Sequence, residues 1–243
     1  MRVAAVAARL ILAVFLCAPA MARAGSFIVT PVRLDLGNGQ SSAVLTLTNA
    51  EDAELTVQIR TTRWTQREGE DQYEPSRDLI AAPSVFRLGP NAAQVIRIGL
   101  RATQPRAVEQ AFRLFLEEVP APPEPGQSGV RIALRMGIPV FVAPAGAAVG
   151  SGVVGADLHW QASRRGDQIV LSARNQGAIH ARLLDLDLAD GLMPLRERSP
   201  LAYVLAGQER QWVLEDARHP DAIQVRAITD DGTIELTVPV DRH

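Results

Sequence analysis

The sequence predicts an all-β fold in two domains. Apolar residues recur with a period of two, turn clusters break the chain at short intervals, and an uncharged run of small residues divides it past its middle. Ala43–Asn49 sets Leu45 and Leu47 on one face and Val44, Thr46 and Thr48 on the other. Leu55–Arg60 turns Leu55, Val57 and Ile59 inward, and Val95–Leu100 is a further β-rich stretch. Gly37-Asn38-Gly39, Glu68-Gly69-Glu70-Asp71 and Gly89-Pro90-Asn91 supply the breaks between strands. Val108–Val119 admits two readings. Ala111, Phe112, Phe115 and Val119 fit a helix face, whereas Phe112, Leu114 and Leu116 alternate as a strand, which the neighbouring strands favour. Short strands at such spacings build a β-sandwich or barrel.

The run Ala143–Gly152 carries no charge and, apart from Val149, no large side chain, so it reads as a linker. Strands resume beyond it at Ile169–Ala173, Leu183–Leu188, Gln211–Leu214, Ile223–Ile228 and Thr233–Val240. Residues 25–144 and 153–243 are therefore expected to fold as separate β-domains joined by residues 145–152, each long enough to bury a core.

Ahead of them, Arg2 and Arg9 precede the apolar run Leu10–Leu16, and Ala22-Arg23-Ala24 offers a small-x-small cleavage site. That is the pattern of a secretory signal peptide, residues 1–24, too short for a permanent span. Cys17 follows Leu16, where a lipid-attachment signal would need a small residue, so lipid anchoring is not expected. Cleavage removes three arginines and the one cysteine, leaving 22 basic against 27 acidic residues and no disulfide chemistry.

Every one of the 25 basic residues is arginine, and the formal charge of −2 gives no basic field for nucleic acid. The four histidines, His159, His180, His219 and His243, are widely spaced and read as surface or edge residues, so no metal or cofactor is expected. No G-x-S-x-G elbow, P-loop or H-E-x-x-H occurs, and adjacent acidic pairs such as Glu117-Glu118 point to opposite sides of an extended chain. No catalytic role is expected.

Residues 130–136 are the informative strand. Val130, Ile132, Leu134 and Met136 project to one side, and Arg131, Ala133 and Arg135 to the other. An ordinary half-buried strand explains that pattern. However, a proline-rich stretch, Pro120–Gly129, leads into it, and the run continues through Pro139, which has no N–H to donate. Proline places the run at a sheet edge or bulge. An edge with alternating apolar side chains recruits other chains by strand addition.

These segments resemble the PapD-like periplasmic pilus chaperones of the chaperone–usher pathway. The likeness rests on Pro31-Val32-Arg33 with Val44–Asn49, on Pro83–Pro90 with Gln94–Ile98, on Phe112–Pro120, and on Ile132–Pro144. It implies two immunoglobulin-like sandwiches in a boomerang. The chaperone would lend a strand to incomplete pilus or fimbrial subunits, deliver them to an outer-membrane usher in the periplasm, and cap itself as a dimer when free. By the same resemblance Val130, Ile132, Leu134 and Met136 are the donated side chains, and Arg33 anchors the subunit's C-terminal carboxylate. The family's companion lysine falls on Pro139, a departure shared with the branch associated with spore-coat-U-like subunits. Arg97, Glu109 and Asp230 fall on an interdomain charge cluster. The competing readings are a secreted immunoglobulin-like module binding glycan or protein, and a structural subunit of the appendage itself.

Overall fold

The computed structural model describes residues 27–37, 39–101, 107–120, 132–144, 157–190, 193–194, 199–215, 220–230 and 232–241. The expected signal segment, the linker 145–152 and Val130 lie outside these.

The first half contains β1 (Phe27–Thr30), β2 (Leu34–Leu36), β3 (Ser42–Asn49), β4 (Leu55–Arg67), β5 (Glu70–Pro75), β6 (Leu79–Ala82), β7 (Val85–Leu88), β8 (Ala93–Leu100), β9 (Gln110–Glu118) and β10 (Arg135–Val142). They form a four-stranded sheet, β1-β3-β8-β6, and a second sheet ordered β2-β10-β9-β4-β5, with β7 also on β4. Alternation explains the sandwich. Leu45, Leu47, Ile96 and Ile98 from one sheet meet Leu36, Val57, Phe112, Leu114, Leu116 and Val140 from the other in one buried core. Val108–Val119 is therefore a strand in its central part. A period of two is what brings Phe112, Leu114 and Leu116 inward together.

The second half contains β11 (Leu158–Arg165), β12 (Gln168–Asn175), β13 (Ala181–Asp190), β14 (Met193–Pro194), β15 (Ser199–Val204), β16 (Glu209–Glu215), β17 (Ala222–Thr229) and β18 (Gly232–Asp241). Its order is β14-β13-β17-β18-β11-β12-β16, with β15 also on β13. Its core gathers Ile169, Leu171, Leu183, Val204, Ile223 and Val225. Trp160 and Trp212 stack there, with ring centroids 5.7 Å apart.

β4 and β5 form a long hairpin closed by Glu68 and Gly69, both at positive φ (53° and 80°), the two-residue turn whose twist suits a hairpin. The hairpin reaches the second half, where Gly69 bridges Arg210 of β16. A Cβ on Gly69 would sit 2.4 Å from Gln211 Cβ, so this approach requires glycine.

Leu114 is wholly buried, whereas Val95 is 51% exposed on the outer face of β8. Leu114→Ala is expected to lower unfolding stability by about 2–5 kcal/mol, and Val95→Ala by under about 0.5 kcal/mol, in urea titrations. Equal losses would contradict the inward face assigned to β9.

Candidate functional site

The expected strand 130–136 is corrected by the structure. β10 starts at Arg135 and runs to Val142, while Ile132–Leu134 are outside any strand. Pairing explains the shift. Arg135 lies opposite Glu117 and Leu134 still accepts a hydrogen bond from Glu118 N–H, but Val119 N–H has already turned to Thr56 of β4. β9 ends at Glu118, so it offers Ile132 and Ala133 no ladder partner.

β9 lines β10 along its whole length, but β2 joins its other side only at Val140–Val142, opposite Leu34–Leu36. Antiparallel pairs alternate between bonded and non-bonded residues. The bond between Glu118 and Leu134 therefore directs Met136 and Ile138 toward β9, and Arg135 and Gly137 away from it. Ala143 N–H, of the second parity, indeed donates to Leu36 on the β2 side. Among the described residues no strand pairs with Arg135–Pro139 on that side. Pro139, lacking an N–H, ends the row of free donors.

The apolar teeth have unequal settings. Ile132 is 87% exposed, whereas Leu134 and Met136 are half-buried and pack against the rim of the first core. They share the parity of the buried Ile138 and Val140, so they continue the core's apolar row out to the open end of the sandwich.

Arg33 stands at the head of β2, with 18% of its side chain exposed. Its Nε and Nη2 donate to Asp35 at 2.9–3.1 Å, Nη1 is 3.9 Å from Asp230, and the guanidinium lies 5.3 Å from the Phe141 ring. The three residues of the expected charge cluster are divided. Asp230 pairs with Arg182 as well as Arg33, Glu109 binds His180, and Arg97 is exposed on the outer face of β8.

His180 corrects the sequence reading most directly. It is buried rather than at the surface, with Nδ1 2.8 Å from Glu109 Oε1 and its ring stacked on Phe141 at 3.7 Å. Glu109 also accepts the His180 backbone N–H. His159 is exposed, and His219 and His243 lie outside the described residues. No cluster of metal-ligating side chains occurs among the described residues.

The junction between the halves is an apolar cluster of Trp64, Ala111, Phe141, Tyr203 and Leu205. Gln66 completes it: its amide donates to Tyr203 O at 2.8 Å, accepts Leu205 N–H at 3.0 Å, and its own N–H reaches Gln208. Asp71 accepts from Trp64 Nε1 and Gln66 Nε2 and pairs with Arg210 at 2.9 Å. Burial alone would push the Asp71 carboxyl up, but the hydrogen bonds from Gln66 and Trp64 and the Arg210 guanidinium hold it below the ordinary carboxylate range. These residues escape sequence reading because they bury the outer face of β4, against its own alternation.

Two β-sandwiches, the first with a strand that β2 flanks along only part of its length, define an immunoglobulin-like protein. The sequence profile of the pili and flagellar-assembly chaperones, PapD N-terminal domain, matches residues 26–148, and the chain belongs to that family. No curated protein sequence matches the chain. Among solved structures, the chaperone–tip adhesion subunit complex CsuC–CsuE, from the archaic chaperone–usher Csu pili of Acinetobacter baumannii, aligns at a TM-score of 0.69. It is 21% identical and covers 90% of this chain and 100% of its own. The Salmonella enterica SafA pilin complex with the SafB chaperone gives 0.61 at 20% identity, covering 89% and 97%. The Escherichia coli chaperone DraB gives 0.58 at 21%, covering 88% and 99%. These likenesses establish the shared fold.

Because its folded-state carboxyl is held low, Asp71 contributes stability fully above the unfolded value of about 3.9 and loses it as pH falls through its depressed value. Asp71→Asn is expected to lower stability by about 1–3 kcal/mol at pH 7, a gap that closes below about pH 4. A gap independent of pH in urea titrations would contradict the assignment.

Proposed function

We propose that the chain is a periplasmic chaperone that lends β10 to incomplete pilus subunits and passes them to an outer-membrane usher. The half-open flank of β10 carries this reading. Arg135 and Gly137 aim backbone donors and acceptors at the side where no strand pairs among the described residues, and the row from Ile132 to Met136 presents apolar side chains at the open end of the core. Backbone hydrogen bonds would give affinity, and the alternate side chains would fill the guest's groove. Each fully covered tooth would contribute about 1.5–3 kcal/mol before ordering costs.

β2 sets the guest's direction and end point. A guest strand parallel to β10 runs toward Pro139 and is stopped by Leu34, so its last residue comes to Arg33. A planar guanidinium suits the terminal carboxylate delivered there. Val130 would extend the donated row upstream. In this reading residues 1–24 are a cleaved signal peptide, residues 25–144 the donating domain and residues 153–243 the second domain, and the free protein shields its flank by pairing with another copy.

A glycan-binding module would need an exposed aromatic platform, but Trp64 and Trp212 are both buried. A structural appendage subunit is normally a single sandwich, whereas this chain has two complete cores.

Ile132→Glu is expected to abolish recovery of a soluble one-to-one complex with a co-expressed pilus subunit while shifting stability by under about 0.5 kcal/mol. Undiminished complex would remove Ile132 from the donated row.

A further inference from the structure

We infer that Phe115, reached across Gly137, is a specificity contact for the guest strand and selects an aromatic side chain at one position of it. The inference rests on the strand-addition reading. It adds a residue on the outer face of the sheet, away from the apolar row that fills the guest's groove.

Gly137 lies in the open part of β10, opposite Phe115 of β9. Their parity opposes that of the core residues Leu114, Leu116 and Ile138, so both are on the outer face. The φ of Gly137 is outside the left-handed region, so the backbone does not require glycine there. The space above it does. A Cβ on residue 137 would lie 3.2 Å from both Phe115 Cε1 and Arg113 Cδ, so one of them would have to shift. A glycine inside a strand marks a place where another group approaches closely, and aromatic side chains cover such glycines. With strands about 4.8 Å apart, a guest residue beside Gly137 would ordinarily stand about 10 Å from β9, behind a side chain of β10. With no such side chain, the leaning Phe115 ring comes within about one strand spacing of the guest.

The ring is held in that place and is only half-buried. Tyr73 meets it edge to face with centroids 5.2 Å apart, and the Arg135 guanidinium lies 4.0 Å from its centre. Arg135 shares the carboxylate of Glu117 with Arg60, so these side chains carry more positive than negative charge. Such surroundings suit a guest side chain with an electron-rich face and an apolar edge. An aromatic ring has both, meeting Phe115 by its edge and the guanidinium of Arg135 by its face. An aliphatic side chain meets Phe115 alone, and a small polar one leaves the ring uncovered. Outer-face positions of a paired strand recur every second residue. Only the guest residue in register with Gly137 makes this contact, because its outer-face neighbours fall beside Arg135 and Pro139.

The probes are fluorescein-labelled eight-residue peptides alternating valine and serine, with each of the serines replaced by phenylalanine in turn. Binding to the full chain is read by anisotropy. One phenylalanine peptide is expected to bind about five- to tenfold tighter than the all-serine parent, and leucine at the same position to gain under about threefold. Phe115→Leu should remove the phenylalanine gain and leave the parent's affinity unchanged. Gly137→Val, which fills the space over which the ring leans, should do the same. An equal gain at every position, a gain at none, or leucine matching phenylalanine would overturn the inference while leaving strand addition in place. So would a gain that survives either substitution. Loss of parent binding in Phe115→Leu would overturn it as well, because the residue would then hold the strand rather than select its guest. Failure of the parent and every variant peptide to bind the wild type would overturn strand addition and this inference together.

Discussion

The short reach of β2 is the constraint on which the site depends. It flanks β10 for three residues, from Val140 to Val142, and the chain before Leu34 turns away to the other sheet through Pro31. Had β2 begun five residues earlier, β10 would be an interior strand and the molecule a closed sandwich. Because it does not, no strand among the described residues pairs with the second flank of Arg135–Pro139, while β9 holds the first. Proteins ordinarily blunt such edges. Here the arginine at 135 and the proline at 139 limit the open run without covering it.

The same short strand connects edge to junction. β10 passes from its open part directly into the contact with the second half, where Phe141 packs with Trp64, Tyr203 and His180. The hairpin of β4 and β5 clamps that contact through Gln66 and Asp71, and Gly69 allows it to approach β16. Arg33 sits between the two regions, tied to Asp35 on its own sheet and near Asp230 on the other half. In the proposed reading a guest arriving along the flank would end where the two halves meet, at a cation that lies near carboxylates of both.

The core was legible because water lies on one side of most strands. Leu45, Leu47, Val57, Leu114 and Leu116 alternate with polar neighbours, and all are buried. Legibility fails where a second surface covers the outer face. Trp64 and Gln66 have the wrong parity for the first core, and Ala111 made a helix plausible because it is buried by the other half and not by its own sandwich. His180 was misjudged for the same reason: no local pattern announces a histidine enclosed by a distant glutamate and phenylalanine. Proline at 139 did mark the edge, but the extent of the open flank depends on where β2 begins, and a three-residue strand leaves little periodic signal. Arg97 shows the opposite limit, since an exposed arginine on an outer face carries no local mark of its neighbours.

Amide hydrogen exchange at four consecutive residues tests the half-open strand most directly. Met136 and Ile138 should exchange slowly in the free monomer, and Arg135 and Gly137 rapidly; the fast pair should become protected in complex with a pilus subunit. Slow exchange at Arg135 and Gly137 in the free monomer, or rates there unchanged by the subunit, would contradict the account.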